Sequence, residues 1–312
     1  MFLVCGEALY DIFLRGEAGA ALQMQAYRGG SPYNVALGLA RLGAKVAFFG
    51  GFSDGPLGQA LREALAGEGV EMHFSPDKSA LTTLSLVQLD AGGSPHYAFY
   101  GTGMADRLLE PTDLPTLPQS ITALHFGSFS LVVQPCGATL LGFARAQAGQ
   151  RLISFDPNVR PTVEPDMSIW RASLGEWLEV ADMVKVSQED LELLYPRADP
   201  LEVARGWLAL RPALVVVTRS AAGAVALTAG STLALPAPSI TMVDAVGAGD
   251  AFQAGLLHGL AQAGQLSHAE LEALPEAVLA AALRQAIITG ALTCQRAGAD
   301  LPRAGELAQA LG

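Results

Sequence analysis

Short apolar runs recur along the chain at Phe2–Cys5, Val46–Phe49, Ala123–Phe126, Leu152–Phe155, Met183–Val186 and Ala213–Val217. Runs of that length with no polar alternation predict strands buried on both faces. Between them, apolar positions fall at helical spacing over Pro32–Leu42, Leu57–Ala66, Cys136–Ala148, Ile169–Val180 and Pro200–Leu210. Pro32 suits a first helical position and Gly43 a position just past a helix end, so that helix is bracketed at both ends. Repeated strand–helix alternation predicts an α/β protein whose mostly parallel sheet carries helices on both faces. Further on, Ser239–Val243 reads as another strand and Ala251–Ala263 as a helix that stops before Gly264.

One stretch breaks the rhythm. Thr82–Tyr100 holds two strand-like runs around Gly92-Gly93, a hairpin pattern. With Leu14–Arg28 it forms either a small β-structure projecting from the main sheet or a pair of edge strands; the pattern leaves both open. No long linker, internal repeat or low-complexity tract divides residues 1–312, so one domain is expected.

Composition narrows the function classes. Hydrophobic residues make up 51% of 312, charged residues 16%, and the net charge is −11, which describes a packed globular chain. An acidic chain without a basic block is a poor partner for nucleic acid or an anionic membrane. An anionic small molecule stays open, because backbone N–H groups hold phosphate without net positive charge. Cys5, Cys136 and Cys294 have neither metal-ligand nor disulfide spacing, which predicts buried thiols in a reducing compartment. The start MFLVCGEALYDIF lacks a basic segment and reads as a strand rather than a signal peptide. No uninterrupted apolar run approaches the ~20 residues of a membrane span, and a cytoplasmic protein is expected.

Three segments carry candidate chemistry. In TMVDAVGAGDAFQAGL (Thr241–Leu256), Gly247 and Gly249 allow a sharp turn into a helix whose first N–H groups can face a phosphate. A carboxylate there repels a passive anion, yet makes sense if Asp250 takes a proton from an attacking hydroxyl. The plain alternative is that Asp250 caps the helix. In YRGGSPYNVALGLARLG (Tyr27–Gly43), Asn34 falls in a first helical turn after Gly29 and Gly30 and suits hydroxyl recognition. In SFDPNVRP (Ser154–Pro161), Asp156, Asn158 and Arg160 sit at a strand's C-terminal end, where open parallel sheets bind ligands; the alternative is a plain turn.

Together these segments resemble the ribokinase-like carbohydrate kinases of the PfkB family, over essentially the whole chain. The Gly-Gly sugar motif is matched by Gly29, Gly30 and Asn34. The closing Asp-Thr-x-Gly-Ala-Gly-Asp motif is matched by Asp244, Gly247, Ala248, Gly249 and Asp250. The resemblance implies a central, mostly parallel sheet with helices on both faces and a small β lid from roughly 12–30 and 82–103. It implies Asp250 as catalytic base, Gly247, Ala248 and Gly249 as anion hole, and Asp11, Gly30, Asn34, Tyr100 and Arg160 as sugar contacts. Lys185, Ser187, Thr218 and Gly223 would serve the nucleotide. Asp190 would organise Mg²⁺ through water, and Asp244 would stand beside a monovalent cation, K⁺. A homodimer through the lid is a further expectation. Departures are Ala245 for Thr, Ser220 for a common Gly, Ser187 and Asp190 for Asn and Glu, and Ser53 for Gly.

The expected activity is transfer of the ATP γ-phosphoryl group to a primary hydroxyl of a neutral hexose, fructose first. GEALYDIF and DPNVRP resemble both the fructokinase and the 2-keto-3-deoxygluconate kinase branches. The keto-acid needs a cationic partner. The lid Arg that those kinases place after an aromatic pair is absent from AFYGTGMADR, where the next Arg is Arg107. Rival readings are 2-keto-3-deoxygluconate kinase, a nucleoside kinase and a catalytically silent sugar sensor. An NAD dehydrogenase lacks its Gly-x-Gly-x-x-Gly after the first strand.

Overall fold

The computed structural model describes residues 1–89 and 95–312, so the Gly92-Gly93 turn lies outside the described residues. In chain order the strands are β1 (Phe2–Cys5), β2 (Leu9–Ala18), β3 (Ala21–Gly29), β4 (Val46–Phe49), β5 (Phe52–Ser53), β6 (Asp77–Lys78) and β7 (Leu84–Leu89). They continue with β8 (Pro95–Tyr100), β9 (Ala123–Gly127), β10 (Leu152–Asp156), β11 (Met183–Ser187), β12 (Leu214–Thr218), β13 (Ala224–Leu227) and β14 (Thr232–Leu235). The α-helices are α1 (Ser31–Arg41), α2 (Pro56–Gly67), α3 (Cys136–Gln147), α4 (Met167–Leu178) and α5 (Gln188–Leu194). After them come α6 (Pro200–Trp207), α7 (Ala248–Gln262), α8 (His268–Glu272), α9 (Glu276–Cys294) and α10 (Ala304–Leu311).

The main sheet has the order β14-β13-β12-β11-β10-β9-β1-β4 and is parallel except at β13, which runs against both neighbours. Alternate residues of each strand feed two cores. Leu3, Phe126, Phe155 and Trp177 pack on one face with α3 and α4, while Val4, Phe48, Leu256 and Leu283 pack on the other with α1, α7 and α9. Double-sided burial is why these strands read as unbroken apolar runs. A second, four-stranded sheet has the order β3-β2-β7-β8 and projects the chain segments around Asp11 and Tyr100 beside the main sheet's C-terminal edge.

Two expectations need correction. Ser239–Val243 is not a strand: Met242 and Val243 are 67% and 61% exposed, and the N–H groups of Val243 and Asp244 bond to the Cys294 carbonyl instead of a ladder. Cys294 is only half-buried, unlike Cys5 and Cys136. Helix α9 is long and apolar enough by length and composition to cross a membrane, with mean hydropathy 1.6. Half of that stretch is buried, and it packs on α7 through Ala282, Ala286 and Thr289.

Candidate active site

Asp250 is the third residue of α7, and the helix is capped by Gly247, whose φ of 76° the sharp turn requires. The capping alternative for Asp250 is therefore excluded, since its carboxylate caps nothing. Oδ1 accepts from the Ser31 hydroxyl at 2.6 Å and Oδ2 from the Asn34 amide at 2.8 Å. The side chain is 8% exposed, and burial pushes its carboxyl up to about 6. Donation from Ser31 and Asn34 and the charge of Lys185 oppose that rise, while Asp156 adds to it. Asn34 Oδ1 is buried with no partner.

Helix α1 delivers both partners from its first turn. Gly30, with φ 103°, turns the chain from β3 into α1, and a Cβ there would lie 2.8 Å from the Glu7 carbonyl oxygen. Ser31 N–H then donates to Glu7 Oε1 at 3.2 Å, and the other Glu7 oxygen accepts from the Ser130 hydroxyl. Burial raises the Glu7 carboxyl to about 7.

Lys185, from β11, forms a buried ion pair with Asp156 Oδ2 at 2.8 Å. Its Nζ lies 3.1 Å from where a Cβ on Gly249 would stand, which puts the ammonium at the start of α7. Burial works against that ammonium, yet Asp156, Asp250 and Asp190 together hold it above the usual lysine range. Asp156 Oδ1 accepts from Asn158 N–H, so SFDPNVRP builds the local turn while Asp156 Oδ2 pairs with Lys185. Asp190 Oδ1 accepts from Val159 N–H at 3.0 Å, and burial with the nearby Asp156 raises its carboxyl. Ser187 caps α5 by accepting from Asp190 N–H. Arg160 Nη1 donates to the Val159 carbonyl at 3.0 Å, and its charge faces both Asp11 and Asp190.

Asp11 stands on β2, and its Oδ2 lies 2.5 Å from where a Gly29 Cβ would be. Burial raises its carboxyl. The structure thus brings Asp11, Gly30, Asn34, Arg160, Lys185, Asp190, Gly249 and Asp250 to one region. Tyr100 is 57% exposed at the end of β8, opposite Leu84. Thr218 and Gly223 lie one strand farther along the edge, around a 3-10 turn, Ser220–Ala222. Ser220 holds φ 47°, the reason a glycine is at home there. Asp244 accepts from Val246 and Gly298 N–H groups at 3.0 and 2.8 Å, fastening the loop before α7. Of the N–H groups expected to form an anion hole, that of Ala248 is engaged by the Ala245 carbonyl at 3.2 Å.

Sequence reasoning passed over Ser31 as a partner of Asp250, and Glu7 behind it. It also passed over a polar layer beneath the site, where Gln253, one turn after Asp250, donates to Ser154 Oγ at 2.9 Å and His125 Nδ1 meets it at 3.0 Å. Burial, then the Lys185 charge, lowers His125 to about 3, so it is neutral.

Comparison with known proteins places the whole chain beside sugar kinases. The pfkB family carbohydrate kinase profile matches residues 2–304. A fructokinase from Rhizobium leguminosarum bv. trifolii is 38% identical over 283 residues, 89% of this chain and 85% of that protein. The structure of a fructokinase with bound ATP from Xylella fastidiosa superposes with a TM-score of 0.90 at 30% identity, covering 99% of this chain and 97% of that one. A fructokinase double mutant from Vibrio cholerae O395, in its fructose, ADP and potassium ion bound form, superposes with a TM-score of 0.84 at 28% identity, covering 100% and 98%. With the family profile matched over residues 2–304 and a relative 38% identical across most of both chains, the chain belongs to the pfkB family of carbohydrate kinases.

Proposed function

We propose that this protein is an ATP-dependent fructose kinase, and the observation that carries the reading is the doubly anchored, buried Asp250 carboxylate beside the open start of α7. Asp250 accepts the proton of a sugar primary hydroxyl as that oxygen attacks the γ-phosphorus, and ADP leaves with the electrons of the broken P–O bond. Such proton transfer contributes ~10²–10⁴-fold. The Gly247–Gly249 turn and the Lys185 ammonium offset charge on the transferring group. Asp11, Gly30, Asn34, Tyr100 and Arg160 bind the sugar, and Thr218, Ser187 and Gly223 shape the nucleotide edge.

A metal accompanies ATP in this reading, and Mg²⁺ is the one proposed. The charge balance favours it: among the described residues, the carboxylates of Asp11, Asp156, Asp190 and Asp250 are faced by the cations of Lys185 and Arg160 before a triphosphate arrives. Among the described residues no cluster of three metal-ligating side chains exists, which fits an ion held by phosphate and water, with Asp190 acting through water. When bound, that ion neutralises phosphate charge. A monovalent cation beside Asp244 is proposed likewise; the carboxylate's bonds to Val246 and Gly298 give it the role of shaping the loop.

The neutral hexose follows from where the cations are. Arg160 is already faced by two carboxylates, and Arg107 lies against Gly101 with its guanidinium 5.0 Å from the Phe129 ring centre. Arg160 therefore offers a substrate carboxylate no unopposed charge, and the Arg107 guanidinium is committed to the Phe129 face. The four-stranded sheet acts as a lid on one domain of 1–312, and exposed Leu22 and Met24 on its edge strand β3 support a homodimer there. Three free cysteines support a cytoplasmic, reducing setting. The test is ADP release with ATP and Mg²⁺ over fructose, ribose, 2-keto-3-deoxygluconate and adenosine. The reading expects the highest kcat/KM with fructose, and a higher value with the keto-acid or the nucleoside overturns it.

A further inference from the structure

Both oxygens of Asp250 are occupied before any substrate arrives, and the two donors differ. Asn34 offers an amide whose own carbonyl is buried without a partner. Ser31 offers a single hydroxyl at 2.6 Å, from a side chain only 6% exposed. Its backbone is pinned as well, since its N–H donates to Glu7, which the Ser130 hydroxyl holds in turn. The Ser31 hydroxyl therefore has little freedom to turn elsewhere.

We infer that Ser31 is a positioning residue for the base: its hydroxyl holds Asp250 by Oδ1 and keeps the carboxylate ionised, leaving Oδ2, on the Asn34 side, to receive the proton of the sugar hydroxyl. The inference rests on Asp250 being the base and deepens that reading. One sugar hydroxyl donates to Oδ2 and its neighbour to Asn34 Oδ1, which satisfies the orphaned carbonyl. The O–H proton ends on Oδ2, the sugar oxygen bonds to phosphorus, and ADP carries away the electron pair of the bond that breaks. Through this the Ser31 bond persists, because Oδ1 takes no part.

The groups facing Asp250 set how much depends on that one hydroxyl. Lys185 on β11 favours the charged form, Asp156 on β10 opposes it, and burial opposes it most. From α1 only Ser31 and Asn34 donate. Asp190 and Arg160 lie one shell farther out, around Lys185 and the 156–160 turn. Without the Ser31 hydroxyl, Oδ1 becomes a buried acceptor with no donor, and protonation is the cheapest remedy.

The experiment compares Ser31→Ala, Ser31→Thr and Asp250→Asn by kcat and kcat/KM for fructose between about pH 5.5 and about pH 9, with melting curves on the same samples. A charge-assisted bond of ordinary strength corresponds to a shift of about one pH unit, so the acid limb of Ser31→Ala should move upward by that amount. Its kcat relative to the unmodified enzyme should then fall by about fivefold between pH 8.5 and pH 6. Ser31→Thr keeps the hydroxyl and should restore the limb, and the ATP KM should stay within about twofold in both. A uniform loss across the pH range, or an unmoved limb, while Asp250→Asn is inactive, overturns the role of Ser31 and leaves the base assignment standing. Substantial turnover in Asp250→Asn overturns both.

Discussion

The mouth of α7 and the proposed nucleotide edge around Thr218–Gly223 sit on the same sheet edge and are built in opposite ways. At the first, interlocked and buried side chains from both ends of the sequence fix one carboxylate: Ser31 and Asn34 reach Asp250 across 219 and 216 residues. At the second, Ser220, Ala221 and Ala222 are small and exposed, and the turn is set by backbone angles, φ 47° at Ser220 and 87° at Gly223. The difference teaches where the chain needs exact charge and where it needs only shape. In the proposed reading, the acceptor end must hold a base within hydrogen-bond reach of one hydroxyl, whereas a nucleotide edge made of backbone tolerates side-chain change.

That contrast makes the buried end the more fragile. Lys185→Met leaves Asp156 buried and unpaired, so stability should drop by about 3 kcal/mol in urea unfolding, and kcat by about tenfold or more. Adding Asp156→Asn to it should return most of the stability and little of the turnover. Recovery of turnover in the double variant would reduce Lys185 to a counter-charge for Asp156. Asn34→Ala should raise the fructose KM about tenfold and also lower kcat below about pH 7, since it removes both a hydrogen bond to the bound sugar and the amide donation to Asp250 Oδ2. A raised ATP KM with an unaltered fructose KM would move Asn34 to the wrong end of the comparison.

A pH effect follows from the sign of the Asp250 shift. The folded carboxyl is raised from 3.8 to about 6, so the folded protein binds that proton more tightly than the unfolded chain. Its contribution to stability is full below the unfolded value and is lost as pH rises through about 6. Asp250→Asn removes that loss, so its Tm relative to the unmodified protein should climb between pH 4 and pH 7, and a flat difference would deny the shift. The smallest effect belongs to the nucleotide edge. Ser220→Gly relieves a positive φ and should add at most about 1 kcal/mol, with the ATP KM within about twofold. A tenfold change there would mean that the edge reads side chains after all.

How much of this was legible in the sequence follows the same division. Strands buried on both faces announce themselves as apolar runs, so β1, β4, β9, β10, β11 and β12 fall within a residue or so of their expected ends. Ser239–Val243 misled because an apolar run carries no sign of which partner it will find, and here Val243 meets the end of α9 rather than a strand. Asp250, Asn34 and the glycine turn were legible because motif spacing is local. The Asp156–Lys185 pair, the Asp190–Val159 tie and the Ser31 bond were not, since each joins separate elements and depends on packing that no short spacing encodes. The start of α7 was misjudged by three residues, enough to leave a capping role for Asp250 open that the structure removes.

The central claim is that Asp250 takes the proton, and turnover of Asp250→Asn with fructose and saturating ATP tests it most directly. The substitution keeps the shape and leaves the Gly247 cap alone, and the Asn34 amide, with its unpartnered carbonyl, can turn over to meet the new side chain. The account predicts that kcat falls by about 10²-fold or more while Tm is unchanged or slightly higher near neutral pH. Near-normal turnover in a folded Asp250→Asn protein would contradict it.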